Sequence, residues 1–174
     1  PFDLEKNPLT AKISSWERIN GRSLPPRIKA GANYLNSRLA QQEIKSSGFD
    51  MAIFLDSFGY VSEAPGSCIF MIKKGEFYTP SLNSSILGSI TRSIVINIIE
   101  QIFDKKVSQI NLERIDFYQA NEVFLCGTAI EITPIKSLDH IEYEDNLLTR
   151  KIMEVYKDFI LGKIQLNNSE IFKL

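Results

Sequence analysis

The hydrophobic positions along this chain change period several times, and each change marks an element. Ile94, Val95, Ile98, Ile99 and Ile102 share one helix face and predict a helix over Thr91 to Phe103. Leu35 and Leu39, among good helix formers, predict another over Ala32 to Lys45, which Gly48 would end as a C-cap glycine. Short apolar runs bounded by turn residues read instead as strands: Met51 to Leu55, Tyr60 to Ser62, Cys68 to Ile72 and Phe77 to Thr79. Asp56-Ser57-Phe58-Gly59 and Lys73-Lys74-Gly75-Glu76 are hairpin turns between them, so this stretch reads as an antiparallel meander.

The remainder follows the same grammar. Pro1 and Asn7-Pro8 give the start the look of a linker, followed by a short run from Ala11 to Ser15. Arg18 to Pro26, with Asn20-Gly21 and Pro25-Pro26, reads as loop. Lys105 to Ile110 predicts a strand and Leu112 to Gln119 a short helix. Glu122 to Cys126 and Ile130 to Ile135 predict strands around Gly127-Thr128-Ala129, and Leu147 to Ile164 a closing helix. Interleaved helices and strands with internal hairpins predict an α/β (mixed α+β) fold: a mixed, largely antiparallel sheet, curled and covered by helices.

Composition narrows the class. With 20 Lys and Arg against 21 Asp and Glu, and 44% hydrophobic residues in 174, the chain suits one ordinary domain with a sizeable core. No basic excess suits nucleic acid, no apolar run approaches a membrane span, and Pro1 to Lys6 hold no signal-peptide core. Cys68 and Cys126 lie in apolar runs and read as small buried hydrophobes in a reduced cytoplasm, although the sequence leaves a disulfide between them open. Two Cys and a single His140 make no zinc site of the usual spacing, so no metal is expected. His140, among Asp139, Glu142 and Glu144, reads as a loop histidine rather than a catalytic base.

Three segments carry candidate chemistry. Lys29, between Ile28 and Ala30 at the mouth of a helix, is expected to be partly buried, which lowers an amine's pKa and makes it a Schiff-base nucleophile. Taken alone, a solvated lysine is the commoner outcome. Glu63 ends a strand before Pro65-Gly66, where its carboxylate can face a cleft or simply the surface. Leu87-Gly88-Ser89-Ile90-Thr91-Arg92 enters a helix whose free amides and dipole suit an anion, and Cys126-Gly127-Thr128-Ala129 is a small-residue turn that a ligand can approach closely. Ser89 and Thr91 equally suit helix capping.

Read in order, these segments resemble the fold-type IV pyridoxal-phosphate enzymes, and most closely the branched-chain amino acid aminotransferase family. The stretch Lys29-Ala30-Gly31-Ala32-Asn33-Tyr34-Leu35-Asn36-Ser37 carries the likeness. So do Gly59-Tyr60-Val61-Ser62-Glu63, Gly75-x-x-Tyr78-Thr79-Pro80, Ile90-Thr91-Arg92, and Asn121 to Phe124 leading to Gly127-Thr128-Ala129-x-Glu131-Ile132-Thr133-Pro134. The resemblance implies a pseudo-barrel large domain and pyridoxal 5'-phosphate as cofactor. It implies that Lys29 forms the Schiff base and shuttles the proton between substrate and cofactor. Glu63 would pair with the pyridine nitrogen and Tyr34 with the ring hydroxyl. Ile90, Thr91, Gly127 and Thr128 would cup the phosphate, Leu87 and Gly66 would lie against the ring, and Ala129 would meet the substrate carboxylate. The family often reads Glu-Gly-x-Gly-Glu-Asn where this chain has Glu63-Ala64-Pro65-Gly66-Ser67-Cys68, and a Gly-rich segment where it has Tyr143-Glu144-Asp145-Asn146.

By the same resemblance, residues 1–10 are expected to be an interdomain linker remnant and 11–174 the C-terminal cofactor-binding domain. The N-terminal domain, which supplies a phosphate-binding arginine and half the substrate pocket, is expected to lie outside this chain. The implied activity moves the amino group of Leu, Ile or Val to 2-oxoglutarate in a cytoplasmic homo-oligomer, with no nucleic-acid or membrane partner. The rivals are a D-amino-acid aminotransferase or aminodeoxychorismate lyase of the same fold, and a catalytically inactive binding or assembly module.

Overall fold

The structure is a computed structural model and describes residues 7–143 and 146–167. Most of the expected linker, and Glu144 and Asp145, lie outside the described residues. The elements run in the order β1 (Leu9–Glu17), α1 (Tyr34–Ser46), β2 (Met51–Leu55), β3 (Cys68–Lys73), β4 (Glu76–Pro80), α2 (Ile90–Ile102), β5 (Val107–Ile110), α3 (Arg114–Tyr118), β6 (Glu122–Gly127), β7 (Glu131–Leu138), β8 (Ile141–Glu142) and α4 (Leu147–Ile160). A 3-10 turn over Gly31–Asn33 leads into α1.

The eight strands among the described residues form one mixed sheet in the order β2-β1-β7-β6-β3-β4-β5, with β8 paired to β7. Period-two alternation in the middle strands decides which side chains go where. Ile69, Met71, Val123 and Leu125 point to one face, where they pack with Ile13, Ile53, Val61, Leu112 and Phe117. Phe70, Ile72, Phe124 and Cys126 point to the other, against Ile94, Val95, Ile98 and Ile99 of α2 and Ile152, Met153 and Tyr156 of α4. Phe70 and Phe124 stack across β3 and β6 with ring centroids 5.0 Å apart. At the ends of the strand order, the Val61 N–H donates to the Leu112 carbonyl at 2.8 Å, tying the β2 hairpin to the segment after β5. The sheet therefore curls round its inner cluster, as a strongly twisted sheet of this size tends to do.

Several local expectations change. β1 starts at Leu9, inside the expected linker, and runs parallel to both β2 and β7. A strand with a neighbour on each side needs little intrinsic propensity of its own, and Lys12, Ser14 and Ser15 hid it. Tyr60 to Ser62 is not a ladder strand; Val61 makes a single antiparallel bridge to Leu55. The expected meander is instead the run β4-β3-β6-β7-β8, all antiparallel neighbours. Lys74 and Gly75 both have positive φ (53° and 75°), which is the geometry a two-residue type I′ turn requires. On α1 the buried side chains are Ser37, Ala40 and Ile44, while Leu35 is exposed. Small residues let that helix sit close to β1 and β2, so the leucine pair is not its core face. Ile102 is likewise exposed, and α4 ends at Ile160 rather than Ile164.

α4 is held at its start by a residue from the sheet. Glu122 accepts from the Leu148 and Thr149 amides at 3.0 and 2.8 Å and from the Thr149 hydroxyl at 2.7 Å. Both Glu122 and Thr149 are buried, so truncation strands donors away from water. Glu122→Ala is expected to cost about 2–4 kcal/mol, read as a lower urea midpoint at unchanged m-value.

Candidate active site

A cleft of roughly 450 Å³, partly open to solvent, lies between the loop before α1, the turn before β3 and the entry to α2. Lys29, Tyr34, Glu63, Gly66 and Leu87 all line it, together with Arg18, Asn33, Ser67, Cys68 and Ser89.

Each wall has a local cause. Asn33 donates from Nδ2 to the carbonyls of Pro25 and Ile28 at 3.1 and 2.9 Å, pinning the loop that presents Lys29. Lys29 is exposed rather than partly buried, because no described element covers the open side of the cleft. Tyr34, the first residue of α1, is also exposed. Ala64-Pro65-Gly66-Ser67 is a tight turn closed by reciprocal Ala64 and Ser67 amide bonds, with Gly66 at φ 74°. Proline followed by a left-handed glycine is the pattern of a type II turn.

Glu63 is buried at 4% exposure. Its Oε1 lies 2.7 Å from Arg18 Nη2, and its Oε2 accepts from the Leu87 amide at 3.0 Å. Burial pushes this carboxyl above the ordinary range, while Arg18, the Leu87 amide and Arg92 hold it back. A carboxyl raised in the folded state favours folding while protonated. That contribution is lost as pH rises from the ordinary carboxylate range through the raised value.

At the third wall, Ser89 caps α2, its Oγ accepting from the Arg92 amide at 3.1 Å. Its carbonyl takes the Ser93 amide, so the amides of Ile90 and Thr91 are the first-turn donors without a partner among the described residues. Thr91 itself is buried, and its side chain bonds Tyr156 of α4. Ile90 and Thr91 follow the lining Ser89 without lining the cleft themselves, and Gly127, Thr128 and Ala129 do not line it either. The last three form the β6–β7 turn directly behind it: a Cβ on Gly127 would stand 2.9 Å from the Gly66 carbonyl. Thr128 and Ala129 are exposed on that turn.

Cys68 and Cys126 face each other across β3 and β6 and are free, buried thiols, which closes the disulfide question. Burial pushes both thiols up, so neither is a ready thiolate. His140 is exposed on the β7–β8 turn. Among the described residues no group of three metal-binding side chains occurs, and no helix is long and apolar enough to cross a membrane.

Sequence reasoning missed Arg18 and Asn36, and gave Asn33 and Ser67 no role. Arg18 was hidden because β1 was not recognised to its full length, so its last neighbour looked like loop.

A family model described as amino-transferase class IV matches residues 1–138, and the chain belongs to that family. Its relatives are more particular. A probable branched-chain-amino-acid aminotransferase of Aquifex aeolicus is 42% identical over 160 residues, covering 90% of this chain and 51% of that protein. The branched-chain-amino-acid aminotransferase of Escherichia coli K12 is 36% identical over 160 residues, 90% of this chain and 52% of its own. The branched-chain amino acid aminotransferase of Thermobaculum terrenum, solved in its PLP-form, superposes with TM-score 0.90 at 44% identity, over 92% of this chain and 53% of that one. This chain thus spans about half the length of the curated relatives it matches.

Proposed function

We propose that this chain is the cofactor-holding part of a branched-chain amino acid aminotransferase that uses pyridoxal 5'-phosphate. The observation that carries the reading is one cleft lined by an amine, a buried carboxylate and the capped end of a helix. Those residues fit the cofactor. Ser67 Oγ and Arg18 Nε are buried polar atoms without a partner among the described residues, and both residues line the cleft. The Ile90 and Thr91 amides at the start of α2 suit a phosphate. The close packing of Gly127 against Gly66 puts the Thr128 turn behind the cleft.

When bound, the cofactor supplies an electron-withdrawing ring that spreads the charge left as an amino acid loses its α-proton. Lys29 would hold the cofactor through its aldehyde carbon, the aldehyde oxygen leaving as water, and its amine would carry that proton. Glu63, held by Arg18 and the Leu87 amide, would accept from the protonated ring nitrogen. Tyr34, which lines the cleft at the start of α1, would take the ring hydroxyl, and Ala129, on the turn behind the cleft, would offer its amide to the substrate carboxylate. The named relatives are branched-chain enzymes, which favours Leu, Ile or Val as donor over the rival activities of the fold.

The cleft is open to solvent, and apolar side chains stand exposed on its lining segments. Ile28 and Tyr34 line it, and Trp16, Leu24, Leu35 and Ile90 lie within two positions of lining residues; all six are exposed. Exposed apolar side chains of this kind suit a covering partner, either the remaining half of the relatives' length or a second subunit of a homo-oligomer. Water at an open mouth weakens every charged contact inside. The 174-residue chain alone is therefore expected to turn over at no more than about 1% of the full-length protein's rate, a loss of some two powers of ten in kcat. The test assays both with pyridoxal phosphate, L-leucine, L-isoleucine or L-valine, and 2-oxoglutarate. No transfer by the full-length protein from any of the three would refute the reading, and equal rates would refute the need for a cover.

A further inference from the structure

We propose that Arg18 is a positioning residue for the reaction, fixing the Glu63 carboxylate as an anion in one orientation toward the cleft. The inference rests on the pyridoxal-phosphate reading above and goes one layer behind it. Arg18 is itself immobilised on several sides. Its amide donates to the Leu55 carbonyl at 2.8 Å, and its guanidinium carbon lies 5.5 Å from the centre of the Phe54 ring. Nη1 donates to Asn36 Oδ1 at 3.3 Å, and Asn36 is anchored in turn by its own Nδ2 donating to the Glu17 carbonyl at 2.9 Å. Nη2 is thereby aimed at Glu63 Oε1 at 2.7 Å, with both side chains buried (8% and 5% exposed).

Phe54 makes the arrangement rigid from both sides. Its amide donates to the Glu63 carbonyl at 3.0 Å and its carbonyl accepts the Ser62 amide at 2.9 Å, so Glu63's backbone is tied to the same strand whose ring lies under Arg18. The Leu87 amide then fixes the second carboxylate oxygen. Two donors from two different segments define the carboxylate plane. Each oxygen keeps a free lone pair for a group in the cleft.

The charged and titratable groups near Glu63 are Arg18 at the end of β1, Arg92 on α2 and Cys68 on β3, with Lys29 and Tyr34 on the same cleft. Among the described residues only Arg18 is within ion-pair distance. Burial alone drives the carboxyl toward its neutral form, and a neutral acid is no counter-ion for a protonated ring nitrogen. Lysine in place of Arg18 restores charge but not the planar fork that serves Asn36 and Glu63 together.

The experiment compares full-length wild type, Arg18→Met and Arg18→Lys. In cofactor-free protein with 13C-labelled glutamate carboxyls, the Glu63 signal is assigned by its loss in Glu63→Gln and titrated with pH. Removing Arg18's charge is expected to raise the Glu63 midpoint by roughly 1–3 units in Arg18→Met, with Arg18→Lys recovering most of it. In the loaded enzyme, kcat is expected to fall about 100-fold in Arg18→Met and about 10-fold in Arg18→Lys, with KM for L-leucine unchanged. An unchanged midpoint overturns the proposal even if kcat falls, since that loss is then merely structural. Should Arg18→Met not fold, wild-type midpoint and kcat in Arg18→Lys overturn it equally. A shifted midpoint in a protein that binds no pyridoxal phosphate leaves the Arg18–Glu63 coupling standing and removes the cofactor reading instead.

Discussion

Lys29→Ala in the full-length protein is expected to end amino transfer, with kcat down by at least ~10⁴-fold. One amine is assigned two tasks, covalent attachment of the cofactor and movement of the substrate's α-proton, so a single truncation removes both. Folding is expected to survive. Lys29 is exposed, and its loop is held by Asn33 rather than by the lysine side chain, so stability should change by no more than about 0.5 kcal/mol. Cofactor should still bind through the phosphate end and Glu63, but not covalently. Borohydride reduction followed by peptide mapping checks this, since wild type should carry the label on the Lys29 peptide and the variant should carry none. A small added amine such as ethylamine should restore part of the rate, because it supplies a base without the tether. A label on another lysine in the variant would show that Lys29 is not the attachment point.

Periodicity was a good guide where the chain's own neighbours decide the outcome. The Ile94, Val95, Ile98 and Ile99 face of α2 and the alternating residues of β3 and β6 sit where their spacing puts them. It failed where a distant element decides. β1 is a strand because β2 and β7 flank it, a fact that no window around Leu9 to Glu17 contains. Leu35 has the spacing of a core residue yet is exposed, because Ala40 and Ser37 let α1 approach the sheet more closely on another side.

The site divides in the same way. Glu63 was legible only through the resemblance of the Gly59 to Glu63 run to a known family, since its place before a Pro-Gly turn suits the surface as well, and Ser89 was legible as a cap by its place before a helix. Arg18 was not legible, because its meaning depends on the loop from Leu55 to Glu63 folding back beside the end of β1. Its role is written in contacts 45 positions apart in the chain, Arg18 to Glu63, and no local pattern marks them.

Glu63→Gln tests the other half of the site and is expected to lower kcat by about 10²–10³-fold while leaving cofactor affinity nearly unchanged. An amide has the shape of the carboxylate but no charge, so it cannot stabilise a protonated ring nitrogen. It is also mismatched to its neighbours. Its oxygen can accept from Arg18 or from the Leu87 amide, but the NH₂ then faces the other donor. One buried donor is left without an acceptor, at a cost of about 1–3 kcal/mol. The pH dependence separates this structural cost from the charge. Cofactor-free wild type should lose Glu63's contribution to stability as pH rises from the ordinary carboxylate range through the raised value, because the unfolded chain ionises first. Glu63→Gln has no such titration. The stability gap between the two proteins should therefore narrow with rising pH, read as converging urea midpoints. A gap that widens over that interval would mean that Arg18 outweighs burial and that Glu63 sits below the ordinary range. Turnover of Glu63→Gln equal to wild type would remove the carboxylate from the chemistry.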